Sequence, residues 1–190
     1  MTMSRPVIYT TMTTLDGFTS TTDGGLDWAI PDRELHEFIN AQEVGAEALY
    51  GRRMWEVMSG HWPTAADDPA TEPHEAAYAE IWNAQEKVVF SSTLEAVEHG
   101  ARLVRGDAAA EVRELRERPG GPLGVGGATL AGSLFAAGLI DELRLYVHPV
   151  ALGAGAGRVF PSLDRRIQLA PKAARSFGSG VEYRSYRVEH

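Results

Sequence analysis

The chain contains no cysteine, which excludes disulfide bonds, zinc sites built on thiolates and a cysteine nucleophile. It also has no apolar run of the about 20 residues that a bilayer-spanning helix needs, because the mostly apolar stretch from Leu130 to Ile140 is too short. The segment from Met1 to Met12 lacks the apolar core and small-residue cleavage site of a signal peptide. We therefore expect a soluble, cytoplasmic protein with no membrane partner.

Charge of one sign is not concentrated anywhere in the sequence. The 18 basic and 26 acidic residues are interspersed and give a net charge of −8. No nucleic-acid partner is expected, because nucleic-acid-binding domains gather lysine and arginine on one surface. The six histidines show no metal-ligand spacing, so no metal site is predicted. An anionic ligand would need arginines at a local site.

Hydrophobic residues make up 44% of the chain, which is enough for one core, and we expect a single domain over residues 1–190. Apolar runs predict strands at 6–12, 46–50, 87–93, 101–104, 122–125, 142–148, 166–176 and 180–188. Helical spacing predicts helices at 32–44, 52–58, 74–84, 107–118 and 128–137, and the proline-rich segment 61–73 is predicted to be an exposed loop.

This alternation predicts an α/β fold in three layers. A central mixed, mostly parallel sheet should carry helices on both faces, and the last two strands should form an antiparallel hairpin. Ligands of such sheets bind at the carboxyl ends of the strands. The residues that follow the strands are therefore the first candidates for a site.

Three strand ends have residues that suit an anion. The glycine-arginine junction, Gly51-Arg52-Arg53, opens a helix whose N–H groups and guanidinium groups could hold a phosphate. The serine junction, Ser91-Ser92, offers hydroxyls as a strand leaves the sheet. Each also has a structural interpretation: the first as a solvated basic turn, the second as an ordinary serine turn or helix cap.

The third strand end is the glycine-pair junction, residues 126–129. Gly126 and Gly127 end a strand, and Ala128 and Thr129 begin a helix. Glycine lets the backbone approach a pyrophosphate closely, but a tight packing turn explains the pair equally well. The junction is neither a P-loop, which needs Lys-Ser or Lys-Thr next, nor a Rossmann fingerprint, which needs a third glycine at Thr129.

Taken together, these segments resemble the dihydrofolate reductase-like superfamily. The similarity is to the reductase domain that forms the C-terminal half of the riboflavin-biosynthesis deaminase-reductase, the RibD C-terminal domain family, in its stand-alone form. The residues that carry it span nearly the whole chain: Thr14-Leu-Asp-Gly17, Gly51-Arg-Arg53, Val89-Phe-Ser-Ser-Thr-Leu94, Val125-Gly-Gly-Ala-Thr-Leu130, Gly138-Leu-Ile-Asp-Glu-Leu143 and Pro149-Val-Ala-Leu-Gly-Ala-Gly155.

The resemblance implies an NADPH molecule lying across the strand ends. The glycine-arginine junction would hold phosphate, the serine junction would lie near the adenosine 2′-phosphate, and the glycine-pair junction would hold the pyrophosphate. Thr11 and Met12 would lie near the nicotinamide. Arginine and serine at the ribose end also favour NADPH over NADH, because the extra phosphate needs positive charge and hydrogen-bond donors.

The substrate side departs from the family pattern. The family activity is 5-amino-6-(5-phosphoribosylamino)uracil reductase, in riboflavin biosynthesis, but Thr10 replaces the lysine those enzymes carry on their first strand. Trp28-Ala-Ile-Pro31 resembles the Trp-x-x-Pro of dihydrofolate reductases, and Arg33 replaces the carboxylate expected two residues after the proline. The resemblance thus leads to a small pteridine- or pyrimidine-like substrate rather than to that particular uracil derivative.

Hydride transfer needs a proton source as well as the cofactor. Asp32 is the first candidate, since it lies in the first turn of the predicted helix that follows Trp28 and could face the ligand cleft, and Asp16 is the second. An acid at the helix N-terminus, favoured there by the helix dipole, and an Asp-Gly turn are the alternative interpretations of these two residues. Trp28 is the candidate for stacking on a flat substrate, although aromatic residues also serve core packing.

The sequence therefore predicts an NADPH-dependent oxidoreductase that acts on a small heterocycle. The alternative is a non-catalytic nucleotide-binding or regulatory module on the same fold. A homodimer is compatible with the β-rich C-terminal end, although an alternating strand does not identify its partner.

Overall fold

The computed structural model describes residues 4–161, 163 and 165–189. Ten strands lie in this part of the chain: β1 (Val7–Thr14), β2 (Phe18–Ser20), β3 (Glu47–Gly51), β4 (Lys87–Phe90), β5 (Arg102–Val104), β6 (Leu123–Gly126), β7 (Glu142–His148), β8 (Ala156–Arg158), β9 (Gln168–Ser176) and β10 (Glu182–Glu189). The helices are α1 (Arg33–Glu43), α2 (Arg52–Ser59), α3 (Trp62–Ala65), α4 (Pro73–Ala84), α5 (Ala108–Arg116) and α6 (Ala128–Ala136).

Eight strands form one sheet in the order β5-β4-β3-β6-β1-β7-β10-β9. The six strands from β5 to β7 in this order are parallel to their neighbours, whereas β10 runs antiparallel to both β7 and β9. The predicted mostly parallel sheet with an antiparallel C-terminal hairpin is confirmed. The carboxyl ends of the six parallel strands consequently lie along one edge.

Helices cover both faces of this sheet. On one face, Val7 and Tyr9 of β1 pack with Val112 of α5 and Leu134 of α6 in the largest apolar cluster. On the other face, one cluster brings Tyr50 of β3 together with residues of α2 and α4. A second cluster on that face brings other strand residues together with residues of α1. This is the three-layer α/β arrangement expected from the sequence. No helix in the described part of the chain is long and apolar enough to cross a membrane.

Some local predictions were wrong. The segment predicted as a loop contains α3, a short helix with Pro63 in its first turn. The strand expected to reach Thr93 ends at Phe90, because Ser91 Oγ accepts hydrogen bonds from the backbone N–H groups of Thr93 (3.2 Å) and Leu94 (3.1 Å) and turns the chain. A small antiparallel sheet of β2 and β8 was not predicted.

The β9 strand closes one side of the large sheet and is irregular. Tyr186 of β10 pairs with Pro171 and Ser185 pairs with Ala173, so Lys172 is the extra residue of a bulge. Lys172 pairs with the carboxylate of Glu142 on β7, which also accepts a hydrogen bond from Arg144 Nε at 2.7 Å. This ion cluster connects the hairpin to the parallel part of the sheet.

Candidate active site

The sheet register brings the glycine-arginine, serine and glycine-pair junctions to one edge. Gly51 is opposite Phe90, the residue before Ser91, in the parallel pair of β3 and β4. Tyr50 is opposite Gly126 in the parallel pair of β3 and β6. Residues far apart in the sequence thus follow three adjacent strand ends, which is the arrangement that an extended ligand lying across the edge requires.

The helices that leave this edge begin without side-chain caps. Gly51 precedes α2 and Gly127 precedes α6, and neither helix start has a side-chain cap hydrogen bond among the described residues. By contrast, Asp32 caps α1, Asp107 caps α5, and α4 begins with a reciprocal capping box at Glu72. The first N–H groups of α2 and α6 are therefore donors that an anion can satisfy.

The two glycines of the pair are required for different reasons. Gly127 has φ of +102°, in the left-handed region that favours glycine. A Cβ on Gly126 would lie 2.8 Å from Cδ1 of Tyr50 and 3.1 Å from Cγ of Met54, so close that the ring or the backbone must shift. The packing-turn interpretation is therefore correct for Gly126, and it is compatible with a cradle in which no side chain screens the backbone.

Arg52 extends from the glycine-arginine junction to Thr93, the residue after the serine junction. Its Nη1 donates to Thr93 Oγ1 at 3.1 Å, and its Nε donates to Glu56 at 2.7 Å. Arg53 and Ser92 are exposed at the same edge. Positive charge and hydroxyl groups consequently lie side by side beyond the ends of β3 and β4, as a phosphate group needs.

The remaining cofactor candidates have different environments. Thr129 is exposed and Ala128 is partly buried at the start of α6. Met12 is opposite Tyr146 in the pairing of β1 with β7 and belongs to the cluster beneath α1. Thr11 precedes it on the strand and therefore points to the opposite face. Only Met12 of this pair shares a sheet face with α1.

Asp32 and Asp16 both have structural partners. Asp32 is exposed, and its Oδ1 accepts the Leu35 N–H at 2.9 Å as the cap of α1. Asp16 accepts hydrogen bonds from Thr14 Oγ1 at 2.6 Å and from the Gly153 N–H at 2.8 Å. The Thr14 hydroxyl, with backbone N–H groups, lowers the pKa of Asp16. Because these hydrogen bonds stabilise the ionised carboxylate and tie it to Gly153, the geometry favours an anchoring role for Asp16 over the catalytic role suggested by the sequence.

Trp28 lies on a short 3₁₀ turn before α1 and packs edge-to-face against His148. The ring centroids are 5.3 Å apart with an interplanar angle of 85°. His148 is the last residue of β7, is 4% exposed, and has a pKa lowered by burial. Sequence reasoning missed this histidine, because an alternating strand shows which residues share a face but not which ring covers them.

Among the described residues, no group of three or more His, Asp or Glu side chains that could hold a metal ion is present.

Comparisons with known proteins agree with this architecture. The family model of the RibD C-terminal domain matches residues 5–183. This chain belongs to the RibD C-terminal domain family. The uncharacterized protein YyaP of Bacillus subtilis (strain 168) is 34% identical over 183 residues, which are 93% of this chain and 92% of YyaP.

Solved structures show the same fold for this RibD C-terminal domain. A Shewanella sp. PV-4 protein named for riboflavin biosynthesis superimposes with a TM-score of 0.75 and 20% identity, over 97% of this chain and 99% of its own. Dihydrofolate reductase from Enterococcus faecalis, complexed with NADP(H) and RAB-propyl, gives a TM-score of 0.63 and 14% identity over 97% of each chain. The dihydrofolate reductase-like fold and the family resemblance are thus confirmed.

Proposed function

We propose that this protein is an NADPH-dependent reductase of a small pteridine- or pyrimidine-like heterocycle. The observation that carries the proposal is the pair of uncapped helix starts, after Gly51 and Gly127, at adjacent strand ends beside Arg52. Family membership and the reductase-type fold support it. When bound, NADPH supplies the hydride.

The three junctions divide the binding of the cofactor among them. The backbone at Gly126, Gly127, Ala128 and Thr129 would hold the pyrophosphate at the start of α6. Arg52, Arg53, Ser91 and Ser92 would surround the adenosine 2′-phosphate, with Gly51 giving access to the N–H groups of α2. Met12, and the backbone of Thr11, would border the nicotinamide. This assignment predicts a preference for NADPH over NADH.

That preference can be measured with Arg52→Ala. We expect NADPH to raise the melting temperature of the wild-type protein more than NADH does. The variant should weaken NADPH binding about tenfold or more and lose the preference, because a hydrogen bond to a charged group contributes about 1.5–3 kcal/mol. Thermal shift and calorimetric titration with both nucleotides give the answer.

Arg33→Ala is the matched control for Arg52→Ala. Arg33 also opens a helix and also forms an exposed i,i+4 ion pair, with Glu37 at 2.8 Å, but it lies outside the three junctions. The Arg33→Ala variant should therefore keep the wild-type preference for NADPH over NADH. If NADPH stabilised Arg52→Ala as much as it stabilises the wild type, the 2′-phosphate assignment would be refuted. If neither nucleotide stabilised the wild type, the proposed function would be refuted. Binding without NADPH oxidation, over a broad panel of oxidised pteridines and pyrimidines, would favour the non-catalytic module.

Asp32 stays in the proposal as the proton donor, with Trp28 covering the substrate. The variant Asp32→Asn separates this role from helix capping, because asparagine caps as well as aspartate does. We expect the free energy of unfolding to change by less than about 0.5 kcal/mol and the rate of NADPH oxidation to fall about 100-fold. Urea unfolding and a stopped-flow assay measure the two quantities. An unchanged rate would leave Asp32 as a cap only, with water as the proton source.

A further inference from the structure

A cavity of about 460 Å³ lies at the end of α6, where it is also lined by the segment before β9 and by the end of β10. The Val188 N–H of β10 donates to Asp141 O, just before β7, at 2.9 Å. The cavity is therefore at the amino ends of the parallel strands. The nine residues of α6, about 13 Å, separate it from the glycine pair. None of the residues proposed to hold NADPH lines this cavity.

The floor of the cavity is apolar and well ordered by its packing. Phe135, Ile140 and Val188 line it, and all three are buried members of the largest apolar cluster. The end of α6 is fixed by Gly138, which has φ of +66° and whose N–H donates to Phe135 O at 3.0 Å. A preformed apolar surface of this kind suits the flat apolar body of a small ligand.

Two guanidinium groups stand at the rim of the cavity. Arg165 and Arg166 are both exposed, and Arg165 Nη2 lies 3.4 Å from Phe135 O. Arg166 has no ion-pair or hydrogen-bond partner in the part of the chain that the structure describes. Among the described lining residues, Glu189 is the only acidic one, and its carboxylate lies 4.0 Å from Arg187 Nη2. The rim therefore carries uncompensated positive charge, although the chain as a whole has a net charge of −8.

The charges around the cavity restrict the ligand. A guanidinium group forks onto the oxygens of a carboxylate, a sulfonate or a phosphate. The carboxyl end of α6 has partial negative charge, and Glu189 adds a full negative charge nearby. Both oppose a doubly charged phosphate more strongly than a singly charged acid. The apolar floor adds the requirement for an apolar body.

We propose that this cavity is a second ligand site, which binds a singly charged organic acid with a flat apolar body. The body lies on Phe135, Ile140 and Val188, and the acid group pairs with Arg166, with Arg165 beside it. The site goes beyond the proposed reductase function, because it lies at the opposite edge of the sheet from the cofactor junctions. It binds its ligand with or without NADPH.

Fluorescence titration with two probes tests the proposal. Anilinonaphthalene sulfonate has an aromatic body with one sulfonate, and phenylnaphthylamine has the same body without it. The wild-type protein should bind the sulfonate probe about tenfold or more tightly than the neutral one, and Arg166→Ala should reduce this preference to less than about threefold. Arg113→Ala is the matched control, because Arg113 is also exposed and also lacks a partner among the described residues, but lies on α5 outside the cavity. It should keep the wild-type preference.

A second variant, Ala137→Leu, fills the cavity. Ala137 is a partly buried lining residue at the end of α6, and the larger side chain should abolish binding of both probes without changing the circular dichroism spectrum. Wild-type affinity for the sulfonate probe in Ala137→Leu overturns the proposal, as does an unaltered preference in Arg166→Ala or a wild-type protein that does not bind this probe. Displacement of the probe by NADPH also overturns it. NADPH oxidation, measured on the same variants, reports separately on the reductase function and should not change in Arg166→Ala.

Discussion

Replacing Arg5 with methionine is expected to lower the free energy of unfolding by about 3–5 kcal/mol. The Arg5 side chain is 6% exposed, and its Nη1 lies 2.8 Å from Oε2 of Glu47, whose side chain is 8% exposed. Its Nε also donates to Gly121 O at 2.6 Å. The variant leaves a buried carboxylate without its counter-charge and a carbonyl without its donor. Urea unfolding followed by circular dichroism measures the loss.

Two further variants identify the cause of this loss. Arg118→Met removes an exposed i,i+4 pair with Glu114 and should cost less than about 1 kcal/mol. The double variant Arg5→Met, Glu47→Leu should recover much of the stability, because the uncompensated charge is then gone. A double variant no more stable than Arg5→Met would show that packing, rather than the unpaired carboxylate, dominates the loss.

Gly126→Ala is expected to lower the free energy of unfolding by about 2–3 kcal/mol and to abolish stabilisation by NADPH. The new methyl group would lie 2.8 Å from the ring of Tyr50. That ring is buried, and its hydroxyl accepts the Trp82 Nε1–H at 3.1 Å, so it has little freedom to move. The end of β6 must shift instead, and the start of α6 shifts with it.

Gly124→Ala is the control on the same strand and the same face. A methyl group there would meet its nearest neighbours, Glu43 and the carbonyl of Glu47, only at 3.8 Å, an ordinary contact. Its stability should change by less than about 1 kcal/mol, and NADPH should stabilise it as it stabilises the wild type. Full NADPH-dependent stabilisation of Gly126→Ala would contradict a pyrophosphate site at the glycine pair.

Local patterns in the sequence were sufficient for most elements of the sheet and helices. Alternation in 142–148 and the glycine-serine-glycine turn near residue 179 indicated β7 and the C-terminal hairpin, since these features depend on neighbouring residues. The position of β6 between β1 and β3 did not follow from any local pattern. Strand order depends on pairings between distant segments, and the hydrophobic periodicity of one segment does not show which strand it pairs with.

The same distinction applies to the site. Gly51, Arg52 and the glycine pair could be proposed as cofactor-binding residues because strand ends in parallel sheets share an edge, and their chemistry is visible in the residue types. Two features were missed: the contact of His148 with Trp28, and the buried ion pair of Arg5 with Glu47. In each case the partner is distant in the sequence, 120 residues away for His148 and 42 for Arg5. Burial by a distant partner cannot be read from spacing.

The bulge in β9 has a consequence for self-association. An open strand edge is a template on which a second chain can grow an intermolecular sheet. Here Pro171 has no N–H to offer, and Lys172 interrupts the register beside it and brings a charge into the strand. The β9 edge of the protein therefore resists fibre-like growth, and a dimer formed at this end of the sheet would use a face of the molecule rather than a sheet continued from β9.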